Sequence, residues 1–330
     1  MTSSAGRAAA PTRVSLWATI ARDEVAAQLQ AVQGIELTLV DSLEALHEVL
    51  TETEILVMPG HFYHEAVARL VHQSAGRLRF IQSISTGYEE LQAHGVPPGV
   101  LVASAGDRLS VPVAEFGMAL LLALTKCLPQ AWSNQSRQLW DKQHLDAMNG
   151  LHGKTVVIIG LGNIGRAFAR FARCFGMHII GLRRQVTGDF DNDADEVLPI
   201  GELHASLPRA DVIFIAAPYN VDTDGLIGAA ELQCCKPGAL LINVARGRIV
   251  DTDALLAALD SGRLGGAGLD VVHPEPLPAD HPLWHAPNTI ITPHIGGASG
   301  LPGKQSLARF IGANVGRFIQ GETIQHRIYP

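Results

Sequence analysis

The sequence predicts an α/β protein in two domains, one of them a doubly wound parallel sheet. Three observations carry that reading. The chain has 330 residues, a length that suits two domains. Apolar, β-branched runs alternate with amphipathic ones, the pattern of parallel strands joined by crossover helices. Finally, Gly160-Leu161-Gly162-Asn163-Ile164-Gly165 stands between the apolar run 155–159 and an amphipathic run from Arg166 to Phe175. A buried strand therefore feeds a glycine turn and then a helix, with Ile164, Phe168, Phe171, Ala172 and Phe175 on one face.

With 33 glycines in the chain, GxGxxG alone arises by chance; the strand-turn-helix context gives it meaning. Gly160 permits the tight turn, Gly162 lets the backbone approach a pyrophosphate, and Gly165 lets the helix pack close to the strand. The helix N-terminus, at Asn163 and Ile164, offers N–H groups and the positive end of the helix dipole to phosphates.

Composition narrows the class. The chain is 47% hydrophobic and 17% charged, as expected for an α/β protein with a large core, and its net charge is −7. That charge argues against nucleic acid and against anionic membrane surfaces. Cys127, Cys174, Cys234 and Cys235 form no CxxC pair and no disulfide framework, so they read as reduced thiols in a cytoplasmic setting. No apolar run approaches the ~18 residues of a membrane span. Residues 1–12 are small and polar and are expected to be disordered, and the basic segment to Arg22 reads as a tail and first strand rather than a targeting peptide.

Along the chain, strands are expected at 13–18, 35–40, 54–58, 78–84 and 100–103, with helices near 22–32, 43–50 and 62–74. No glycine-rich phosphate loop follows the first strand, so this part is not expected to bind a dinucleotide. One long helix is expected from about Pro112 to Gln138, with Asp107 or Ser110 as its start and Pro112 in its first turn. Residues 118–124 are apolar nearly all round, which fits a helix buried between domains, between subunits or in a plain core; Trp132 and Trp140 extend that surface. Further strands are read at 178–182, 211–217 (ending at Pro218), 239–245, 266–272 and 289–292, making about six with 155–159. The stretch 189–196 reads as acidic and solvated. A helix near 252–261 is capped by Asp251 or Thr252, and another is expected over 303–320.

In such a sheet, ligands sit beyond the carboxyl ends of the strands. Arg183-Arg184 follows the strand whose end faces an adenosine ribose. An acid there accepts from the 2′-hydroxyl and repels a 2′-phosphate, whereas arginines offer charge-assisted donors to that phosphate. NADP(H) is therefore favoured, with NAD(H) tolerated if the pair is only a solvated turn. Later strand ends bring Asn243-Val244-Ala245-Arg246-Gly247, then Asp270 through Pro274-Glu275-Pro276, then Pro293-His294-Ile295-Gly296-Gly297. An Arg, a Glu and a His thus converge. A histidine held protonated by a carboxylate donates a proton as hydride reaches a carbonyl, and an arginine clamps a carboxylate. His61, His64, Glu65 and His72 lack HExxH spacing and read as a solvated face. Cys234-Cys235 reads as helix-end packing, and no nucleophile elbow appears.

These motifs, in this order, resemble the D-isomer-specific 2-hydroxyacid dehydrogenase family, of glyoxylate/hydroxypyruvate reductase type, over about residues 13–328. The resemblance implies a Rossmann nucleotide domain, 109–298, inserted in a flavodoxin-like substrate domain, 1–108 plus 299–330, and a homodimer built largely on the helix after residue 110. It implies that Arg246 binds the substrate carboxylate, that His294 is the acid/base paired with Glu275, and that Asp270 orients the nicotinamide carboxamide. Thr86-Gly87 falls in the loop whose N–H groups grip the substrate carboxylate, with Met58, Pro59, Gly60 and Tyr88 as candidates for the pocket lining. Cofactor contacts are expected from Gly160, Gly162, Asn163, Ile164, Gly165, Arg183, Arg184, Ala217, Pro218, Thr223, Val244, Ala245, Arg246, Asp270, His294, Gly296 and Gly297. Phe116 stands where the family usually has His, and Gly300-Leu301-Pro302-Gly303 carries more helix breakers than the family pattern. The expected reaction is reduction of a small 2-oxo acid. Two rivals share the fold: a dinucleotide-sensing, corepressor-like binding protein, and a dehydrogenase of a non-carboxylate substrate such as phosphite, against which stands Thr86 where phosphite dehydrogenases carry lysine.

Overall fold

A computed structural model describes residues 10–74, 76–143, 145–186 and 193–329. Most of the N-terminal tail and the first part of the acidic stretch, 189–192, lie outside them. The chain divides into two compact units, 1–109 with 298–330 and 110–297.

The first unit opens with β1 (Thr12–Trp17), α1 (Arg22–Gln30), β2 (Ile35–Val40), α2 (Leu43–Leu50), β3 (Ile55–Met58), α3 (Glu65–Ser74), β4 (Phe80–Ser83), α4 (Glu89–His94) and β5 (Leu101–Ala103). The second carries α5 (Ser110–Thr125), α6 (Leu128–Ser136), β6 (Thr155–Ile159), α7 (Asn163–Cys174), β7 (His178–Arg183), β8 (Glu196–Pro199), α8 (Leu203–Ser206), β9 (Val212–Ile215), α9 (Ala229–Cys234), β10 (Ala239–Asn243), α10 (Thr252–Asp260), β11 (Leu264–Leu269) and β12 (Thr289–Ile291). The chain then returns to the first unit as α11 (Gly300–Ile319) and β13 (Arg327–Tyr329).

In the first unit six strands run in the order β13-β5-β4-β3-β1-β2, parallel except for β13, the flavodoxin-like arrangement with one added edge strand. Buried Asn314 of α11 donates to the buried Gln82 side chain of β4 at 2.6 Å and to Gln325 O at 3.1 Å, so α11 is tied to the sheet by a satisfied polar pair. In the second unit seven strands run β12-β11-β10-β9-β6-β7-β8, one more than the sequence indicated. The chain winds one way from β6 to β7 and the other way to β9, so the switch point lies between the carboxyl ends of β6 and β9.

The expected single helix 112–138 is two helices, α5 and α6, bent by 68°. Pro129 explains the break. It has no N–H to give the Thr125 carbonyl four residues back, and that carbonyl accepts from Asn149 N instead, at 2.9 Å. Cys127 absorbs the turn at φ +49°. α5 is a core helix: Gly117 lies against the Phe214 ring and Gly268 against Leu120, so the helix rests on the sheet. Beside it, Phe168 of α7 stacks on Phe214 at 3.6 Å between centroids. Phe175 lies past the end of α7 and is exposed rather than on its apolar face.

Two more expectations change. The acidic stretch is not all solvated: Asp193 is buried and pairs with Arg166 at 2.7 Å and Arg170 at 3.5 Å, and Glu196 opens a strand. Gly300-Leu301-Pro302-Gly303 forms the first turn of α11, because proline in a first turn loses only an N–H that has no helical partner. Among the described residues no single helix is long and apolar enough to cross a membrane.

Candidate active site

The glycine turn is built as its spacing requires. Gly160 has φ +98°, and a Cβ there would lie 2.5 Å from Ala217 N and 2.6 Å from Ala217 Cα. The turn after β6 is therefore pressed against the segment that leaves β9, at the switch point. Gly160 N and Leu161 N both donate to Leu182 O, at 2.9 and 3.1 Å, which ties the turn to β7. A Cβ on Gly165 would strike the Gly160 carbonyl, so α7 enters against the turn. Gly162 is the N-cap of α7, and a Cβ there meets nothing within 4 Å. Open backbone at a helix N-terminus, walled by two close-packed glycines, fits a pyrophosphate.

Arg183 ends β7, half-buried, and Arg184 follows it, exposed. Ala217 is buried and Pro218 exposed just after β9. Thr223 closes the loop that follows: its hydroxyl donates to Pro218 O at 2.9 Å and accepts from Asn220 N at 2.8 Å.

At the end of β10, Asn243 does what the sequence reading missed. Its buried amide donates to Arg246 O at 3.0 Å and accepts from Ala245 N at 3.0 Å, fixing the turn 244–247. Its one sequence signal is a polar residue closing an apolar strand. Arg246 Nη1 donates to Ala245 O at 2.7 Å. Gly247 packs against the Val272 carbonyl, which joins this turn to the chain leaving β11.

His294 Nδ1 lies 2.7 Å from Glu275 Oε1, with both side chains partly exposed. His294 adopts a left-handed backbone, φ +53°, held by bonds from its N–H to Asp270 O (2.8 Å) and Thr292 O (3.0 Å). Asp270 also has a structural part that the sequence did not show. It is buried, and its carboxylate accepts from Thr292 Oγ1 (2.7 Å), Ile295 N (2.9 Å) and Gly296 N (2.7 Å). Those bonds lock the His294 turn; Oδ2 accepts only from Gly296 N, and a carboxylate oxygen can accept more than one bond. Phe116, on α5, reaches the same turn: a Cβ on Gly296 would lie 3.5 Å from its ring.

In the first unit, Ser85 Oγ accepts from Gly60 N at 2.8 Å and donates to Gly87 O at 3.1 Å, while Thr86 Oγ1 donates to Gly106 O at 3.2 Å. The loops after β3 and β4 are thereby joined, with Thr86, Gly87 and Tyr88 half-buried. Met58 and Pro59 are buried, and Met58 packs in the apolar core of this unit, so its side chain is not a pocket lining. Among the described residues no His, Cys, Asp and Glu group gathers to hold a metal, and Glu65 pairs with Arg69. Cys235 is buried and its thiol is pushed up to about 11 by that burial, which suits packing at a helix end.

The family model for the D-isomer specific 2-hydroxyacid dehydrogenase NAD binding domain matches residues 118–296. The chain belongs to that family. It is an oxidoreductase of CH–OH groups that uses NAD(P)(H). The chain is 30% identical over 299 residues to D-3-phosphoglycerate dehydrogenase of Methanocaldococcus jannaschii, covering 90% of this chain and 56% of that one. This family member thus spans little over half the length of that relative. It is 35% identical over 245 residues to the glyoxylate reductase/hydroxypyruvate reductase of Mus musculus, covering 70% of this chain and 71% of that one. A family structure from Aeromonas salmonicida matches with a TM-score of 0.84 at 30% identity, covering 97% of this chain and 99% of that one.

Proposed function

We propose that the protein is an NADP(H)-preferring reductase of small 2-oxo acids, of the glyoxylate or hydroxypyruvate type. The observation that carries it is the His294–Glu275 pair, 2.7 Å apart on strand-end loops of a dinucleotide sheet. A carboxylate only accepts, so the Nδ1 of His294 holds its hydrogen toward Glu275 and Nε2 is left to exchange a proton. The bound cofactor supplies the hydride. Arg246 and the Thr86–Gly87 amides bind the substrate carboxylate, and His294 delivers the proton to the oxygen that becomes the hydroxyl. Gly162, Asn163, Ile164 and Gly165 hold the pyrophosphate, with Ala217, Pro218, Thr223, Val244, Ala245, Gly296 and Gly297 along the rest of the cofactor. The preference for NADP(H) is supported by Arg183 and Arg184 at the end of β7.

A homodimer is supported by apolar surface on and after α6: Trp132 is 57% exposed, Leu139 46%, Trp140 95% and Leu145 52%. A cytoplasmic setting is supported by four free cysteines. The test is loss of the near-ultraviolet absorbance of NADPH and, separately, NADH with glyoxylate, hydroxypyruvate, pyruvate and phenylpyruvate. NADPH oxidation in preference to NADH by one of the first two is expected. Cofactor binding without turnover of any 2-oxo acid would overturn the reading.

A further inference from the structure

Arg248 lies two residues after Arg246 and reaches back to the loop that leaves β9. Its Nε stands 3.1 Å from Asp224 Oδ1 and its Nη2 3.3 Å from Asp224 Oδ2, a two-point grip on one carboxylate. Its guanidinium carbon lies 5.3 Å from the centroid of the Tyr219 ring, and Tyr219 OH donates to Asp224 Oδ1 at 3.2 Å. Its own carbonyl accepts from Gly225 N at 2.8 Å. One residue therefore touches the loop 218–225 near both ends, while Thr223 closes its middle onto Pro218. Ala217, the residue just before that loop, packs its backbone against Gly160 of the glycine turn.

We infer that Arg248 is a positioning residue for the cofactor: with Asp224 and Tyr219 it clasps the loop 218–225 beside the Gly160–Gly165 turn and ties it to the turn that carries Arg246. The inference rests on the proposed binding of NADP(H) at that turn. An exposed ion pair alone holds little, and an exposed cation–π contact alone holds little. Here one guanidinium makes both, to two residues that also bond each other, so ordering a single side chain gains two contacts onto a pair already joined. Loosening the clasp leaves the glycine turn intact and lets the 218–225 wall of the cofactor site move.

Titration of NADPH by its fluorescence tests this on the full chain, with R248A, R248K, D224N and the R248A/D224N double variant. R248A is expected to weaken NADPH binding about fivefold. R248K, which keeps the charge but not the fork, should fall between, and the double variant should bind no more weakly than R248A, because both remove one unit. KM for NADPH should rise with Kd and by more than kcat falls, with the melting temperature unchanged. NADPH binding by R248A equal to that of the unaltered protein would overturn the clasp while leaving the proposed function standing. If R248A fails to fold, wild-type affinity in both D224N and R248K overturns it equally. Binding of neither NADPH nor NADH by the unaltered protein would sink the cofactor reading and the clasp with it.

Discussion

The imidazole Nδ1 of His294 and the Glu275 carboxylate, 19 positions apart in the chain, stand 2.7 Å apart. Two loops, one after β11 and one after β12, have to be set for that pair to form. His294→Ala removes the proton donor and is expected to lower kcat by about 10²–10⁴. Glu275→Gln keeps an oxygen that accepts from Nδ1 but not the charge, so a smaller loss is expected, about tenfold or more, with the dependence on pH altered. Turnover at saturating substrate, with circular dichroism to confirm the fold, checks both. Undiminished kcat in His294→Ala would remove His294 from the reaction.

The three glycines of the turn separate stability from binding. Gly160→Ala puts a Cβ on the Ala217 backbone at a left-handed φ, so it is expected to destabilise by at least about 1–3 kcal/mol. Gly162→Ala puts its Cβ in open space at φ −88°, so the melting temperature should hold while NADPH binding weakens. Thermal melts of both variants beside NADPH titrations tell the two roles apart. A Gly162→Ala protein that binds NADPH at full strength would mean that the pyrophosphate lies elsewhere.

What the sequence made legible was what period and local turn chemistry dictate: the glycine turn, most strands, and the strand-end motifs that hold Arg246, Glu275 and His294. What it hid was decided by partners far along the chain. The break at Lys126–Cys127 depends on Asn149 taking the Thr125 carbonyl that Pro129 cannot serve. Asp193 reads as solvated until α7 brings Arg166 beside it. The part Asp270 plays in fixing the His294 turn shows only once Thr292, Ile295 and Gly296 fold back onto it. Pro129 itself was visible in the sequence, and its weight lay in a carbonyl four residues earlier.

Acid should destabilise the second unit. The Arg209 guanidinium, then His178, holds the Glu196 carboxyl at about 2. Burial pushes Asp195 and Asp211 up, but hydrogen bonds outweigh it and both end below the usual range. Ile179 N and Arg173 act on Asp195, and Thr155 N, Lys236 and Lys154 act on Asp211. A carboxyl depressed in the folded state contributes stability above its unfolded value, near 4, and loses it as pH falls through the folded value. The melting temperature is therefore expected to fall by several degrees between about pH 4 and about pH 2. Arg209→Ala should shrink that fall by releasing Glu196. A melting temperature that rises on acidification over this window would contradict the assignment.

Asp270 gives the sharpest separation of shape from hydrogen bonding. All three groups that meet its carboxylate donate to it: the Thr292 hydroxyl and the Ile295 and Gly296 N–H groups, the last two having no other option. Asp270→Asn has the same outline, but one of its two ends is now an NH₂ facing a donor. If the amide oxygen takes Thr292 and Ile295, Gly296 N–H is left buried without an acceptor; flipped, the Thr292 hydroxyl can turn to accept from the NH₂, but Ile295 N–H loses its acceptor. Each such loss costs about 1–3 kcal/mol, so an isosteric change should lower stability by at least that much. It should also release the turn that holds His294 at φ +53° beside Glu275, and so lower kcat about tenfold or more even with cofactor saturating. A role limited to holding the nicotinamide predicts the opposite pattern, with cofactor affinity lost and the melting temperature kept. Calorimetry on Asp270→Asn without cofactor decides between them, since the lock acts in the free protein and a cofactor contact does not.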